Sequence, residues 1–231
     1  MGFMYYDYYF LILVVPAMII AMIAQFKVNS AFNKESKHLC SRGLTGAQAA
    51  QRVLEYYGVT NVRIEAISGK LTDHYDPRSN VIRLSTDVYS STSIAAIGVA
   101  CHEAGHAAQH AENYAPIKIR NAIIPICNIG SQLGLPLVLF GFIFSFEPLV
   151  TIGLFLYALI SVFQFVTLPV EFDASARAMK VISQTELLYE DEQKGARKVL
   201  TAAAMTYVAA LIVSLANLLR LILRFGGRDD D

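Results

Sequence analysis

The sequence predicts a mainly α-helical membrane protein, with about four transmembrane helices and a small α+β domain between the first and the second. Two observations on composition predict this class. Of 231 residues, 55% are hydrophobic and only 16% charged, whereas a soluble domain is about half apolar and about a quarter charged. The apolar residues also gather into long runs, at 8–24, 121–146, 149–168 and 201–223, while most charges fall between them. The formal net charge is zero, so composition gives no reason to expect nucleic acid as a partner. Cys40, Cys101 and Cys127 are odd in number and irregularly spaced, which suggests neither a disulfide framework nor a cysteine metal site.

The first helix is placed at 8–26. Its apolar run, Tyr8 to Ala24, is interrupted by Pro16, preceded by Tyr5, Tyr6, Tyr8 and Tyr9, and followed by Gln25 and Lys27. Seventeen residues is the short end of a membrane span, extended by the flanking aromatics. A signal peptide is the weaker reading, because no basic start precedes the run and no small-x-small cleavage pattern follows it.

Residues 27–120 read as a cytoplasmic α+β domain. Thr45 is positioned to cap a helix whose apolar positions Ala47, Ala50, Val53, Leu54 and Tyr57 recur at helical spacing until Gly58. Asn61 to Ile67 alternates with the period of a strand, Ser68-Gly69-Lys70 and Asp76 to Asn80 read as turns, and Val81 to Leu84 as a second strand of a small antiparallel sheet. A helix of about 92–112 follows, with Ser90, Ser91, Thr92 and Ser93 as candidate caps.

Residues 121–168 form a transmembrane hairpin. Glu147-Pro148 separates its two apolar runs, and Pro125 and Pro136 should kink the first run or leave part of it non-spanning. The segment 169–200 is polar again, and Ser183-Gln184-Thr185-Glu186 has the pattern of a capping box opening a new helix. That helix leads into a fourth span at 201–224, and the chain closes with Arg228 and three aspartates. A two-helix hairpin returns the chain to the side it left, so 27–120 and 169–200 share one side of the membrane. Of the 19 Lys and Arg, 11 lie in the first segment and 5 in the second. The positive-inside rule puts both in the cytoplasm, while Arg220, Arg224 and Arg228 argue the other way.

The chemistry sits in Val99-Ala100-Cys101-His102-Glu103-Ala104-Gly105-His106-Ala107-Ala108-Gln109-His110. Residues four apart share one helix face about 6 Å apart along the axis, so His102 and His106 can aim two ring nitrogens at one metal ion. Glu103 is rotated by about 100°, within reach of an attacking water without being a ligand. A hydrolytic zinc site uses three protein ligands, so a third is required. His110 is about 12 Å from His102 along the helix, too far to share an ion. The pattern with glycine at 109 and histidine at 112 is excluded by Gln109 and Glu112. Glu171 is the better choice: it follows the hairpin on the side of the histidines, with Asp173 or Ser175 placed to orient a histidine's second nitrogen.

The arrangement His102-Glu103-x-x-His106, two hydrophobic spans, then Glu171 resembles the membrane zinc proteases of the HtpX and CAAX prenyl protease type. The strings 99–110, Pro169-Val170-Glu171-Phe172-Asp173-Ala174-Ser175 and Ala202-Ala203-Ala204-Met205-Thr206-Tyr207-Val208-Ala209-Ala210 resemble still more closely the bacterial YugP-like zinc metallopeptidases, over nearly the whole chain. The resemblance implies a zincin-like domain, one zinc per chain held by His102, His106 and Glu171, and Glu103 as general base. HtpX-type enzymes carry aspartate four residues after the ligand glutamate, where this chain has Ser175.

The expected activity is hydrolysis of peptide bonds by a zinc-activated water, on membrane-associated or unfolded polypeptides, at the cytoplasmic face of a bacterial plasma membrane. An oxyanion donor is expected too, with His74, Tyr75 and Tyr89 as candidates and His110 as a support for the site. The strand Val81 to Leu84 is a candidate to pair with an extended peptide. Expected partners are the bilayer, the substrate, and a membrane-protein partner or second copy. Two rivals remain: an intramembrane site-2-type protease with the motif helix in the bilayer, and a non-catalytic zinc-binding scaffold.

Overall fold

The computed structural model describes residues 7–69 and 71–225. Tyr5 and Tyr6 of the tyrosine cluster, Lys70 of the first turn, and Arg228 with the terminal aspartates lie outside the described residues. The chain is mainly helical with one small sheet. Its elements are a π-helical turn Phe10–Val14 leading into α1 (Val15–Glu35), α2 (Gly46–Tyr56), β1 (Arg63–Ile67), β2 (His74–Asp76), β3 (Val81–Ser85), α3 (Thr86–Tyr89), α4 (Ile94–Ala111), α5 (Ala115–Ile143), α6 (Glu147–Gln184) and α7 (Glu190–Phe225). Among the described residues, four helices are long and apolar enough to cross a membrane: Phe10–Glu35, Ala115–Ile143, Glu147–Gln184 and Glu190–Phe225. Large apolar side chains such as Ile23, Phe155 and Leu223 are exposed on them, which implies contact with a lipid bilayer. Two compact units can be distinguished: Met1–Ala24, Ile119–Leu168 and Thr206–Asp231 make one, and Gln25–Lys118 with Pro169–Met205 the other.

In the first unit, α5 stays helical through Pro125 and Pro136, so neither proline ends it. Close approach of α5 and α6 depends on glycine. A methyl group added at Gly153 would stand 2.7 Å from the Gly134 carbonyl oxygen and from the Val138 nitrogen, and one at Gly130 would stand 2.5 Å from the Leu156 carbonyl oxygen. Small residues of this kind let membrane helices bring their backbones together. Asp7 accepts a hydrogen bond from the Phe10 N–H at 3.0 Å and pairs with Arg220 and Arg224 of α7.

The second unit carries the sheet. Its order is β1-β3-β2, with β1 and β3 parallel and β2 antiparallel to β3. The sheet is therefore mixed, not purely antiparallel. β3 is central and paired on both sides, which removes it as a docking edge for an extended peptide; β1 and β2, the second of which alternation did not reveal, are the edge strands. Thr45 and Gln48 exchange backbone and side-chain hydrogen bonds at the start of α2. Gly58 ends that helix at a positive φ of 65°, a conformation that glycine adopts without steric cost.

α4 lies in the centre of this unit. Ala95, Ala96, Ile97, Ala100, Cys101, Ala104 and Ala108 are fully buried, and α2, the sheet and α3 pack around the helix. Of the four candidate caps the structure uses Ser93, whose Oγ accepts from the Ala96 N–H at 3.2 Å. Protein covers Cys101 and pushes its thiol pKa well up, so its protection from water would not distinguish a lipid-embedded helix from this one.

α6 runs unbroken through Glu171 to Gln184, so Glu171 lies within a helix, not at its start. The box at Ser183 to Glu186 opens no helix. α7 begins at Glu190, and Glu192 accepts the Tyr189 N–H at 2.9 Å together with the N–H and hydroxyl of Ser41 at 2.7 and 2.6 Å. A carboxylate able to satisfy three donors overrides the local pattern.

The crossing of α4 on the last part of α6 requires Gly105, where a Cβ would stand 2.7 Å from the Ala174 carbonyl oxygen. At Gly98 the nearest atom, the Ala196 Cβ, would be 3.5 Å away, an ordinary contact. Gly105→Ala is expected to destabilise the protein by about 2 kcal/mol or more, because backbone must shift. Gly98→Ala should be neutral or stabilising by up to about 1 kcal/mol, since alanine favours helix. Unfolding midpoints of the two variants in one detergent check the pair; equal midpoints would contradict the crossing.

Candidate metal centre

His102 and His106 are one turn apart on α4, with ring centroids 4.7 Å apart and planes at 83°. The adjoining part of α6 presents Glu171 and Ser175, also one turn apart. Glu171 Oε2 is 3.3 Å from His102 Nε2 and 3.5 Å from His106 Nε2. Ligand atoms from the three residues all lie within 4.8 Å of one another, and Glu171 and His106 are buried at 4% and 8% exposure. The two His–Glu separations suit a metal: four ligands held tetrahedrally at about 2.0–2.2 Å from one ion are roughly 3.3–3.6 Å apart.

The second ring nitrogens are occupied. His102 Nδ1 is 3.1 Å from Ser175 Oγ and His106 Nδ1 is 3.0 Å from Gln109 Oε1. With Nδ1–H donating to those oxygens, both Nε2 lone pairs are directed toward Glu171. Gln109 is fully buried and donates through Nε2 to the Val170 carbonyl at 2.7 Å and to Asp173 Oδ2 at 2.8 Å. Asp173 in turn pairs with Arg177, which also holds Glu112. Ser175 thus supports His102 directly, whereas Asp173 reaches His106 only through Gln109. Sequence reasoning assigned no part to Gln109; its position three residues after His106, on the same face, was the available signal.

Glu103 is 9% exposed. Burial pushes its pKa up to about 7, opposed by His102 and reinforced by Glu171 and Asp73. The Tyr75 backbone N–H, on the free edge of β2, donates to its carboxylate. β2 is tied down by Asp73, which accepts the Ser85 N–H at 2.7 Å and its hydroxyl at 3.1 Å.

The remaining residues singled out from the sequence lie elsewhere. His110 is exposed, with Nδ1 3.3 Å from the Tyr75 hydroxyl, which also donates to Asn80 at 3.1 Å. His74 is exposed and bonds back to the Thr72 carbonyl at 2.8 Å. Tyr89 packs against the apolar core. None of these side chains makes a described contact with His102, His106 or Glu171.

The family model described as "Putative neutral zinc metallopeptidase" matches residues 10–226 of the chain. The chain is also 45% identical over 223 residues to a Bacillus subtilis (strain 168) protein named "Putative membrane protease YugP", which covers 96% of this chain and 99% of that one. No solved structure matches. With almost the entire length matched in both comparisons, the chain belongs to the family described as "Putative neutral zinc metallopeptidase".

Proposed function

We propose that this protein is a membrane-embedded zinc endopeptidase that cleaves membrane-associated or unfolded polypeptides, with His102, His106 and Glu171 as ligands of one zinc ion and Glu103 as general base. The observation that carries this is the convergence of two histidines and one carboxylate, with ligand atoms within 4.8 Å of one another and the Glu171 oxygen 3.3 and 3.5 Å from the two Nε2 atoms, and with each Nδ1 already engaged. Zinc in such a site supplies Lewis acidity, polarising the scissile carbonyl and making a nearby water acidic enough to lose a proton at neutral pH. Glu103 adjoins the ligand His102 and accepts that proton, then delivers it to the leaving amine. The Tyr75 N–H holds the carboxylate in place between these events.

The substrate is read as an extended strand, because β2 has one free edge and Tyr75 on that edge touches the base. An unfolded segment can add to such an edge through main-chain hydrogen bonds, without demand on its sequence. A zincin-like domain on the cytoplasmic side of a bacterial plasma membrane fits the 16 of 19 Lys and Arg in 27–120 and 169–200. Arg220 and Arg224, which argued against that orientation, are engaged with Asp7.

Purified protein in detergent is expected to cleave a fluorescently labelled unfolded polypeptide. Chelation should lower the rate by at least about a hundredfold, and about one equivalent of zinc should restore it. Cleavage indifferent to chelation would overturn the proposal, and one zinc per chain without cleavage would favour a scaffold.

A further inference from the structure

Beside the ends of the apolar spans, α1 and α7 enclose a groove of about 690 Å³ within the second unit. Five cationic side chains line it: Lys27 and Lys34 from α1, and Lys194, Arg197 and Lys198 from α7. No carboxylate lines it, and among the described residues none of the five takes part in an ion pair. The nearby acids are mostly engaged elsewhere: Glu35 is buried against His38 Nδ1 at 2.8 Å, and Glu192 is buried against Ser41 and Tyr189. Asp191, which lines the adjoining polar cleft, and Glu190, one turn before Lys194 on α7, are the exposed exceptions.

The groove is graded in polarity. α1 leaves its apolar run at Ala24, and α7 enters its own at Thr201. Toward the spans the lining is Phe26 and Met205, 74% and 40% exposed, with Lys27 next to Phe26 as the one cation at that end. Away from the spans it is Lys34, Lys194 and Lys198, all exposed. Between them lie the small side chains of Ser30, Ala31, Thr201 and Ala202. A free inorganic anion would need the cations but leave Phe26 and Met205 without use. An amphiphile with an anionic head and an apolar tail uses both ends.

We propose that this groove binds one anionic phospholipid, its phosphate among Lys34, Lys194, Arg197 and Lys198 and an acyl chain along Phe26 and Met205. A cation near a membrane surface favours an anionic lipid by about fivefold, so several around one headgroup give selectivity over a zwitterionic lipid. The site is separate from the zinc ligands and does not depend on the peptidase reading.

The test uses the full chain in detergent, titrated with fluorescent phosphatidylglycerol, phosphatidylcholine or inorganic phosphate. Phosphatidylglycerol should bind at least about tenfold more tightly than phosphatidylcholine. The variant Lys34→Gln/Lys194→Gln/Lys198→Gln should lose that preference, and Arg52→Gln/Arg63→Gln, equally exposed but remote in sequence, should keep it. A photoactivatable phosphatidylglycerol on the wild-type protein should label 26–34 and 194–205, which tests the site even if the triple variant fails to fold. Equal affinity for the two lipids, loss of preference in the control variant, labelling confined to other segments, or full competition by millimolar phosphate would each overturn the proposal.

Discussion

Glu103→Gln should leave one zinc per chain and slow peptide cleavage by about 10²–10⁴-fold, the usual contribution of a positioned general base. The amide keeps the size of the carboxylate and an oxygen for the Tyr75 N–H, but cannot accept a proton from water. Metal analysis beside a cleavage assay separates the outcomes: cleavage retained by pure variant protein removes Glu103 as base, whereas lost zinc makes it a ligand. The same substitution has a second signature in the metal-free protein. Burial raises the Glu103 pKa from 4.5 to about 7, so the folded chain binds this proton more tightly than the unfolded one. The penalty for ionising it in place is absent below about pH 4.5, grows between there and about pH 7, and is complete above, reaching at most about 3 kcal/mol. After chelation, Glu103→Gln should therefore melt above wild type at pH 8, and the gap should close as pH falls to 4.5. A gap that widened toward acid would contradict the burial of this carboxyl group.

Glu171→Ala is expected to empty the site. Removing the carboxylate leaves two histidines, fewer ligands than hydrolytic zinc sites use, so zinc should fall from about one per chain to near zero after dialysis, and cleavage with it. Gln109→Ala should be milder: His106 keeps its Nε2 but loses the acceptor fixing its Nδ1 proton, and loss of such support typically costs about 10–100-fold in metal affinity. The two variants together distinguish a ligand from its support. Full zinc occupancy in Glu171→Ala would remove it as the third ligand.

These effects depend on features of unequal visibility in the sequence. His102, Glu103 and His106 are legible because their relation is local: one helix and a fixed 100° step place them whatever the rest of the chain does. The apolar spans are legible for a similar reason, since length and composition suffice. Glu171 was reached by topology, from the hairpin that returns the chain to the side it left. The strand His74–Asp76 was not reachable, because three residues are too few to show a period. The pattern at Ser183 to Glu186 misled because Glu192 meets Ser41, a partner 151 residues away.

What the sequence determined by itself is the chemistry available: two histidines on one helix face with a carboxylate one step of about 100° away, an acid beyond a hairpin, and a chain that requires a bilayer. What only the tertiary structure decided is how that chemistry is aimed. The crossing of α4 over α6 at Gly105 assigns Ser175 to His102 and ties Gln109 to Val170 and Asp173, and β2 turns a backbone N–H toward Glu103. The reason is physical. A hydrogen bond is decided by distances of a few tenths of an ångström between elements far apart in the chain, and no local period encodes that distance.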